Sequence, residues 1–207
     1  MAVVQAPLFG LGASGSIGGS IVFSSWRGRP YVRRLSIPKN PKSGLQVGMR
    51  SVFKYITQAW AALTQNDKDN WITLAEATNI TELNAMVAFN QKRARINQGP
   101  MRGPDLSPGT NPLAVEAAAA ANLPKALTIT WDAPSVSPGD YTGMVYMSKT
   151  TGFTPDIGTL VAMIDVETRD VTIPGLPTGV EQFIMIRETV IAGQLGIFAT
   201  EISGTPT

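Results

Sequence analysis

Hydrophobic and polar positions follow three different spacings along the chain. Residues 1–14 (MAVVQAPLFGLGAS) are apolar and glycine-rich. Residues 20–37 alternate, which suits two short strands: Ile21 and Phe23 point one way, and Tyr31, Arg33 and Leu35 share a face beyond a turn at Arg27-Gly28-Arg29-Pro30. Pro30 lacks a donor and belongs at a hairpin end or an edge, and Pro38 and Pro41 hold the segment after it extended. The spacing then changes to threes and fours. Ser43 and Gln46 fit a capping box, and Met49, Val52, Phe53, Ile56, Trp60 and Leu63 predict an amphipathic helix of about five turns. Thr64 and Asp67 repeat the cap signal before a second helix beginning with Trp71, Leu74 and Ala75. A third follows Thr81, with Leu83, Val87, Asn90 and Ala94 on one face and Lys92, Arg93 and Arg95 where the helix dipole favours cations. Trp60 and Trp71 read as packing between these helices.

Residues 99–112 (GPMRGPDLSPGTNP) hold four prolines and three glycines, so they read as a linker or a long ordered loop. The alanine run Ala117–Ala121 suits a helix by propensity, or a first strand given the prolines around it. Beyond it the spacing is that of strands: Leu127–Trp131, Met144–Met147, Leu160–Ile164, Val171–Ile173, Phe183–Ile186 and Ile197–Ile202, divided by turn clusters such as Pro174-Gly175. Short strands at this spacing predict a β-sandwich. The expected fold is therefore α+β in four parts: an extended arm with a β-hairpin (1–42), a small helical hairpin or three-helix module (43–98), a linker (99–112) and an all-β sandwich (113–207).

Charge sharpens that division. The formal net charge is only +2. Yet up to Asn111 there are thirteen Lys/Arg against five Asp/Glu, and from Pro112 onward four against ten. Asymmetry of this kind suggests modules with different partners. The extreme is Gly15–Lys54, which carries eight basic residues (Arg27, Arg29, Arg33, Arg34, Lys39, Lys42, Arg50 and Lys54) and no acid. Its apolar residues are too few and its charges too many for a core of its own. It reads as an arm made to lie on something else, and the candidate partner-binding residues are Trp26, Arg27, Arg29, Tyr31, Arg33, Arg34, Lys39 and Lys42.

Candidate chemistry is sparse. The chain has no cysteine and no histidine, which removes thiolate nucleophiles and the commonest general base and metal ligand. Gly10, Gly12 and Gly15 spell a GxGxxG, but Pro7 interrupts the preceding strand, a strand follows where a helix should begin, and arginines stand where an acid is needed. The carboxylate groups Asp165, Glu167, Asp170 and Asp67, Asp69 read as turn and cap residues. The expectation is a protein that is not an enzyme, with no catalytic residue, metal or cofactor. No basic n-region precedes an apolar core at the N-terminus and no apolar run reaches the length of a membrane span, so the chain is expected to be soluble, made in a cytoplasm and without a membrane partner.

Two resemblances add to this. LTITWDAP with Trp131, then Tyr146, VTIPGLPTGVEQFIMIRE and GIFATEISGTPT resemble a fibronectin type III domain over roughly residues 112–205. In that family a strand-B tryptophan packs in the core and a leucine precedes a strand-F tyrosine. Trp131 and Leu176 match those positions, while Gln182 stands at the tyrosine's place and Phe183 one residue later. The stretch IVFSSWRGRPYVRRLSIPKNPKSGLQ, followed by a helix ending in QAWAALTQNDKDNW, resembles a group of small tailed-bacteriophage virion proteins over about residues 15–97.

The second resemblance implies a structural role in a virion, as head decoration or as a neck or collar component. The implied partners are capsid, portal, neck or tail subunits and further copies of the chain in a homo-oligomer. A basic arm that becomes ordered on a neighbour fits such a role, since coupled ordering ties structure to assembly. Its arginines would pair with carboxylates, bidentately where geometry allows. Two alternatives are nucleic-acid binding through the 26–55 basic and aromatic stretch, and host-surface adhesion through the sandwich.

Overall fold

A strand with apolar residues at consecutive positions must be covered on both faces, whereas one that alternates can leave a face to water. Both kinds occur here, and they set the layers. The computed structural model describes residues 14–37, 40–106, 116–132, 141–165, 169–190 and 192–207. The chain forms two compact units, one through Pro41 and one from Lys42 to Thr207. The fold is α+β, as expected.

The first unit is a three-stranded antiparallel sheet in the order β1 (Gly15–Ile17), β2 (Ile21–Trp26), β3 (Arg29–Arg34). The second begins with α1 (Gly44–Ala62), a single-turn α2 (Gln65–Asp69), α3 (Ile72–Thr78) and α4 (Glu82–Arg95). Two antiparallel sheets follow. One has the order β4 (Glu116–Leu123), β5 (Ala126–Asp132), β8 (Asp170–Pro174); the other runs β10 (Ile202–Gly204), β9 (Gln182–Val190), β6 (Tyr141–Ser148), β7 (Leu160–Asp165). The alanine run is thus a strand. The expected strand Ile197–Ile202 shrinks to β10, because residues 196–199 follow β9 only through single bonds, Gly196 N–H to Glu188 O and Ala199 N–H to Ile186 O.

β5 alternates: Leu127, Ile129 and Trp131 are buried while Thr128 lies on the open face, its hydroxyl 2.9 Å from that of Thr172. Those three residues pack with Val145, Ala162, Ile184, Ile186 and Ala199 between the two sheets. Trp131 is in the core as expected. Its indole donates to Glu188 Oε1 at 3.0 Å, which also accepts from Arg169 Nε at 3.0 Å. β6 does not alternate. Val145 faces that core, but Met144 and Tyr146 turn the other way, with Leu160 and Met163 of β7, and pack against Val52, Tyr55, Ile56 and Ala59 of α1 and Met86 of α4. The order is helices, four-stranded sheet, three-stranded sheet.

This arrangement differs from the sequence division into separate modules at 43–98 and 113–207: both lie in one unit and share a core. The segment expected as a linker is also packed in its first part. Pro100, Met101 and Gly103 are buried, and Asn90, itself buried, brackets Met101 by donating to its carbonyl (2.9 Å) and accepting from its N–H (2.7 Å). Trp71 is fully buried and donates to Arg102 O at 2.9 Å. Burying side chains of this size contributes about 1.5–3 kcal/mol each.

α1 lies close on the sheet because of two glycines. A Cβ at Gly44 would overlap the carbonyl of Gly158, and one at Gly48 the carbonyl of Ile157. Hence the core face of α1 is Val52, Tyr55, Ile56 and Ala59, while Phe53 is 49 % exposed and Trp60 half-buried. The expected capping box does not form, since Ser43 makes no side-chain cap bond. Thr64 and Thr81 do cap, accepting from Asp67 N–H and Asn84 N–H.

The far end of the same interface is polar. Arg187 of β9, 5 % exposed, donates from Nη2 to Asn97 Oδ1 (2.9 Å), Asn97 O (3.1 Å) and the Tyr146 hydroxyl (2.8 Å). Its guanidinium carbon sits 4.6 Å from the Phe198 ring centroid and 5.3 Å from that of Tyr146. Asn97 in turn donates to Pro155 O at 2.9 Å. The residue that ends the helical segment is thereby tied to the sheet and to the loop before β7. Burial holds the Tyr146 phenol above its ordinary value of 10.0, against the opposing effect of Arg187.

Two outcomes follow. In an exposed helix Gly48→Ala would stabilise by about 1 kcal/mol. Here the carbonyl overlap reverses the sign, giving a loss of about 1–3 kcal/mol and a fall in Tm of roughly 2–4 °C per kcal/mol lost, readable by calorimetry. Because the folded-state pKa of Tyr146 is raised, its contribution to stability is intact below pH 10 and is lost as pH rises through the folded value. Denaturant titrations should show a shallower decline above pH 10 for Tyr146→Phe than for the native chain.

Candidate partner-binding hairpin

The hairpin is made by a two-residue turn at Arg27-Gly28, with φ of 49° and 74°. Two consecutive positive φ values are those of a type I′ turn, whose twist matches that of the strands. Glycine takes the conformation freely, but for arginine it costs roughly 1–2 kcal/mol. The Arg27 guanidinium lies 4.8 Å from the Trp26 ring centroid, a contact contributing about 0.5–1 kcal/mol at an exposed site. It offsets part of that cost and fixes Arg27 beside the indole.

The strand register sorts the remaining side chains. Trp26 pairs with Arg29, Ser24 with Tyr31 and Val22 with Arg33, while Ser25 pairs with Pro30, Phe23 with Val32 and Ile21 with Arg34. Paired residues share a face and successive residues alternate. One face therefore carries Trp26, Arg29, Tyr31 and Arg33. The other carries Ile21, Phe23, Pro30 and Val32, with Ile17 of β1 opposite Ile21. Phe23 is buried, but Ile17 is 51 %, Ile21 44 % and Trp26 65 % exposed.

Of the eight candidate residues, the hairpin brings five together: Trp26, Arg27, Arg29, Tyr31 and Arg33. Arg34 lies on the opposite, apolar face at its end. Lys42 opens the second unit with φ of 48°. Lys39 falls outside the described residues. Arg29 and Arg33, four positions apart on a strand, are separated by about 13 Å along it. No carboxylate occurs between residues 14 and 37, so the positive potential of this face is unopposed by acids of its own segment. Guanidinium forks beside two aromatic rings suit planar anions, which they bind bidentately, and ring stacking.

Outside the hairpin, the acids of α2 have partners within the helical segment. Asp67, in the first turn of α2, accepts from the Thr64 hydroxyl at 2.6 Å beside the cap that Thr64 makes, whereas Asp69 ends α2 and caps nothing, accepting from Gln65 Nε2 at 2.7 Å one turn back. The Asp165 side chain and all of Glu167 lie outside the described residues. Among the described residues no group of three acidic side chains is placed to hold a metal ion, and no helix is long and apolar enough to cross a membrane. Two surface features escaped the sequence reading. Leu45, Met49 and Phe53 line a groove on the outer side of α1 of about 470 Å³. A second groove of about 570 Å³ runs along β7 and β8, with Arg50 and Lys54 on its rim. The first is legible as a second apolar stripe at i, i+4, i+8, which overlaps the core-facing stripe at Met49 and Phe53 when spacing alone is followed.

No family model matches the chain, and no curated protein matches it. Among solved structures it is similar to domains d3–d4 of the rat CD45 extracellular region (12 % identity, TM-score 0.37, 48 % of this chain and 52 % of that one). It is also similar to a β-1,2-glucanase from Parabacteroides distasonis (18 %, 0.40, 50 % and 14 %) and to the chicken CNTN1 FN1–FN3 domains (9 %, 0.37, 46 % and 32 %). The chain spans about half or less of the length of each, and a likeness this loose says nothing of activity or partner.

Proposed function

We propose that this chain is a non-enzymatic structural protein of a tailed-bacteriophage virion, a head decoration or head–tail neck component that docks on neighbouring subunits through its basic hairpin. The observation that carries the reading is the hairpin itself: a compact unit whose open face gathers Trp26, Arg27, Arg29, Tyr31 and Arg33 with no carboxylate among them. Such a face gains most from a partner that supplies acids. The resemblance of residues 15–97 to phage virion proteins gives that partner a setting, with capsid, portal, neck or tail subunits and further copies of the chain as neighbours.

The second unit would be the part displayed. Its strand order, β4-β5-β8 against β10-β9-β6-β7, supports a fibronectin type III-like reading of residues 116–207. Gln182, where that family has its tyrosine, is 3 % exposed and donates back to Val180 O at 3.1 Å, a side-chain bond to upstream backbone of the kind the tyrosine makes. A second reading, nucleic-acid binding, is favoured by the same face, because guanidinium groups beside Trp26 and Tyr31 also suit phosphates and stacked bases.

Removing residues 1–41 tests the first reading. The shortened chain is expected to keep the core of the second unit and a cooperative unfolding transition, yet to be absent from purified particles. Incorporation at full occupancy would show that the hairpin is not the attachment device. Tight, salt-dependent binding of DNA by the full chain, lost in Arg29→Glu/Arg33→Glu, would favour the second reading.

A further inference from the structure

β3 is an edge strand, and its backbone is half-used. Leu35 N–H donates to Ser20 O at 2.7 Å. In an antiparallel pair the bonded positions alternate, so Arg33, Tyr31 and Arg29 direct their N–H and C=O groups toward β2. Pro30, Val32 and Arg34 direct theirs away from it. Pro30 has no N–H, so placing it outward costs the hairpin nothing. Val32 and Arg34 N–H, with the carbonyls of residues 30, 32 and 34, have no partner among the described residues. Such an edge is a template for another strand, which proteins blunt with proline and charge; Pro30 does so at the turn end and leaves the Val32 and Arg34 donors open.

We infer that the β3 edge is a strand-addition site for an extended segment of a partner protein carrying carboxylates at every second residue and apolar side chains between them. The inference rests on the docking reading above and specifies its geometry. An added strand would pair with Val32 and Arg34. On one face its side chains would flank Arg29, Tyr31 and Arg33, where carboxylates are complementary. On the other they would flank Pro30 and Val32 beside Phe23 and Ile21, where apolar groups are complementary, with Arg34 at the end of that face. Main-chain bonds would supply affinity, and alternation would supply specificity. A nucleic acid strand fits less well, because it offers neither the paired donors and acceptors nor the apolar face.

Amide hydrogen exchange on the full chain tests this, with an acetylated hexapeptide alternating valine and glutamate as probe. A peptide of the same composition in two blocks, and a dT12 oligonucleotide, serve as controls. The alternating peptide should slow exchange at Val32 and Arg34 about tenfold or more, and leave Tyr31 and Arg33 nearly unchanged. The block peptide should not. Val32→Pro, which removes an outward donor without touching the β2–β3 ladder, should weaken binding about tenfold; if that variant loses the protection of Tyr31 and Arg33, the two-peptide comparison on the native chain decides. Equal protection by both peptides, unchanged binding by a folded Val32→Pro chain, no binding of either peptide at millimolar concentration, or stronger protection by dT12 would each overturn the inference. Failure of the edge is distinguishable from failure of docking. If Arg29→Glu/Arg33→Glu abolishes peptide binding while Val32→Pro does not, docking by charge stands and strand addition falls.

Discussion

The four-stranded sheet is apolar on both sides, and most of the architecture follows from covering it. Met144, Tyr146, Leu160 and Met163 face one way, and Val145, Ala162, Ile184 and Ile186 the other. Left open, either side would expose a continuous apolar surface of the kind soluble domains seldom tolerate. The three-stranded sheet closes one side and the helices close the other. Gly44 and Gly48 allow that second closure at short range, since any side chain there would lift α1 off the loop that leads into β7.

Each of the two buried charges of this unit has partners on part of its side chain, while Arg187 Nε and Glu188 Oε2 make no hydrogen bond among the described residues. Arg187 has Asn97, Tyr146 and two aromatic faces, and Glu188 has Arg169 and the Trp131 indole. Buried ionic groups of this kind add little net stability, but losing one partner is costly, so they hold the layers in register. The second unit therefore has internal partners for its buried charges. The hairpin is built the other way round: Arg27 lies against the Trp26 ring, and the arginines stand on an ordered backbone with no acid in their own segment. That contrast is the physical basis for assigning structure to one unit and docking to the other.

Much of this was readable in the residues. The hairpin followed from alternation and from Gly28, the helices from threefold and fourfold spacing with Thr64 and Thr81 as caps, and the strands from short apolar runs between turns. The layer order was written there too, in a less obvious form. LTITW alternates and has one open face, whereas GMVYM and FIMI do not alternate and need two covers. What the spacing hid was pairing at a distance. Nothing local in Asn97 announces a bond to Arg187, ninety residues on, and nothing near Gly48 announces the Ile157 carbonyl. The proline and glycine content of 99–112 signalled a linker because composition reports backbone stiffness, not the Asn90 side chain that pins Met101. At the candidate site, strand register separated Arg34 from the other arginines, a distinction that a count of basic residues cannot make.

The central claim is that the Arg29–Tyr31–Arg33 face is satisfied by a neighbour's carboxylates in an assembled particle. Electron cryomicroscopy of intact particles containing this chain tests it most directly. The account predicts ordered density for residues 14–37 seated on an adjacent subunit, with acidic side chains within ion-pair distance of Arg29 and Arg33. A hairpin surrounded by solvent in the particle, or seated with its arginines facing away from every neighbour, would contradict it.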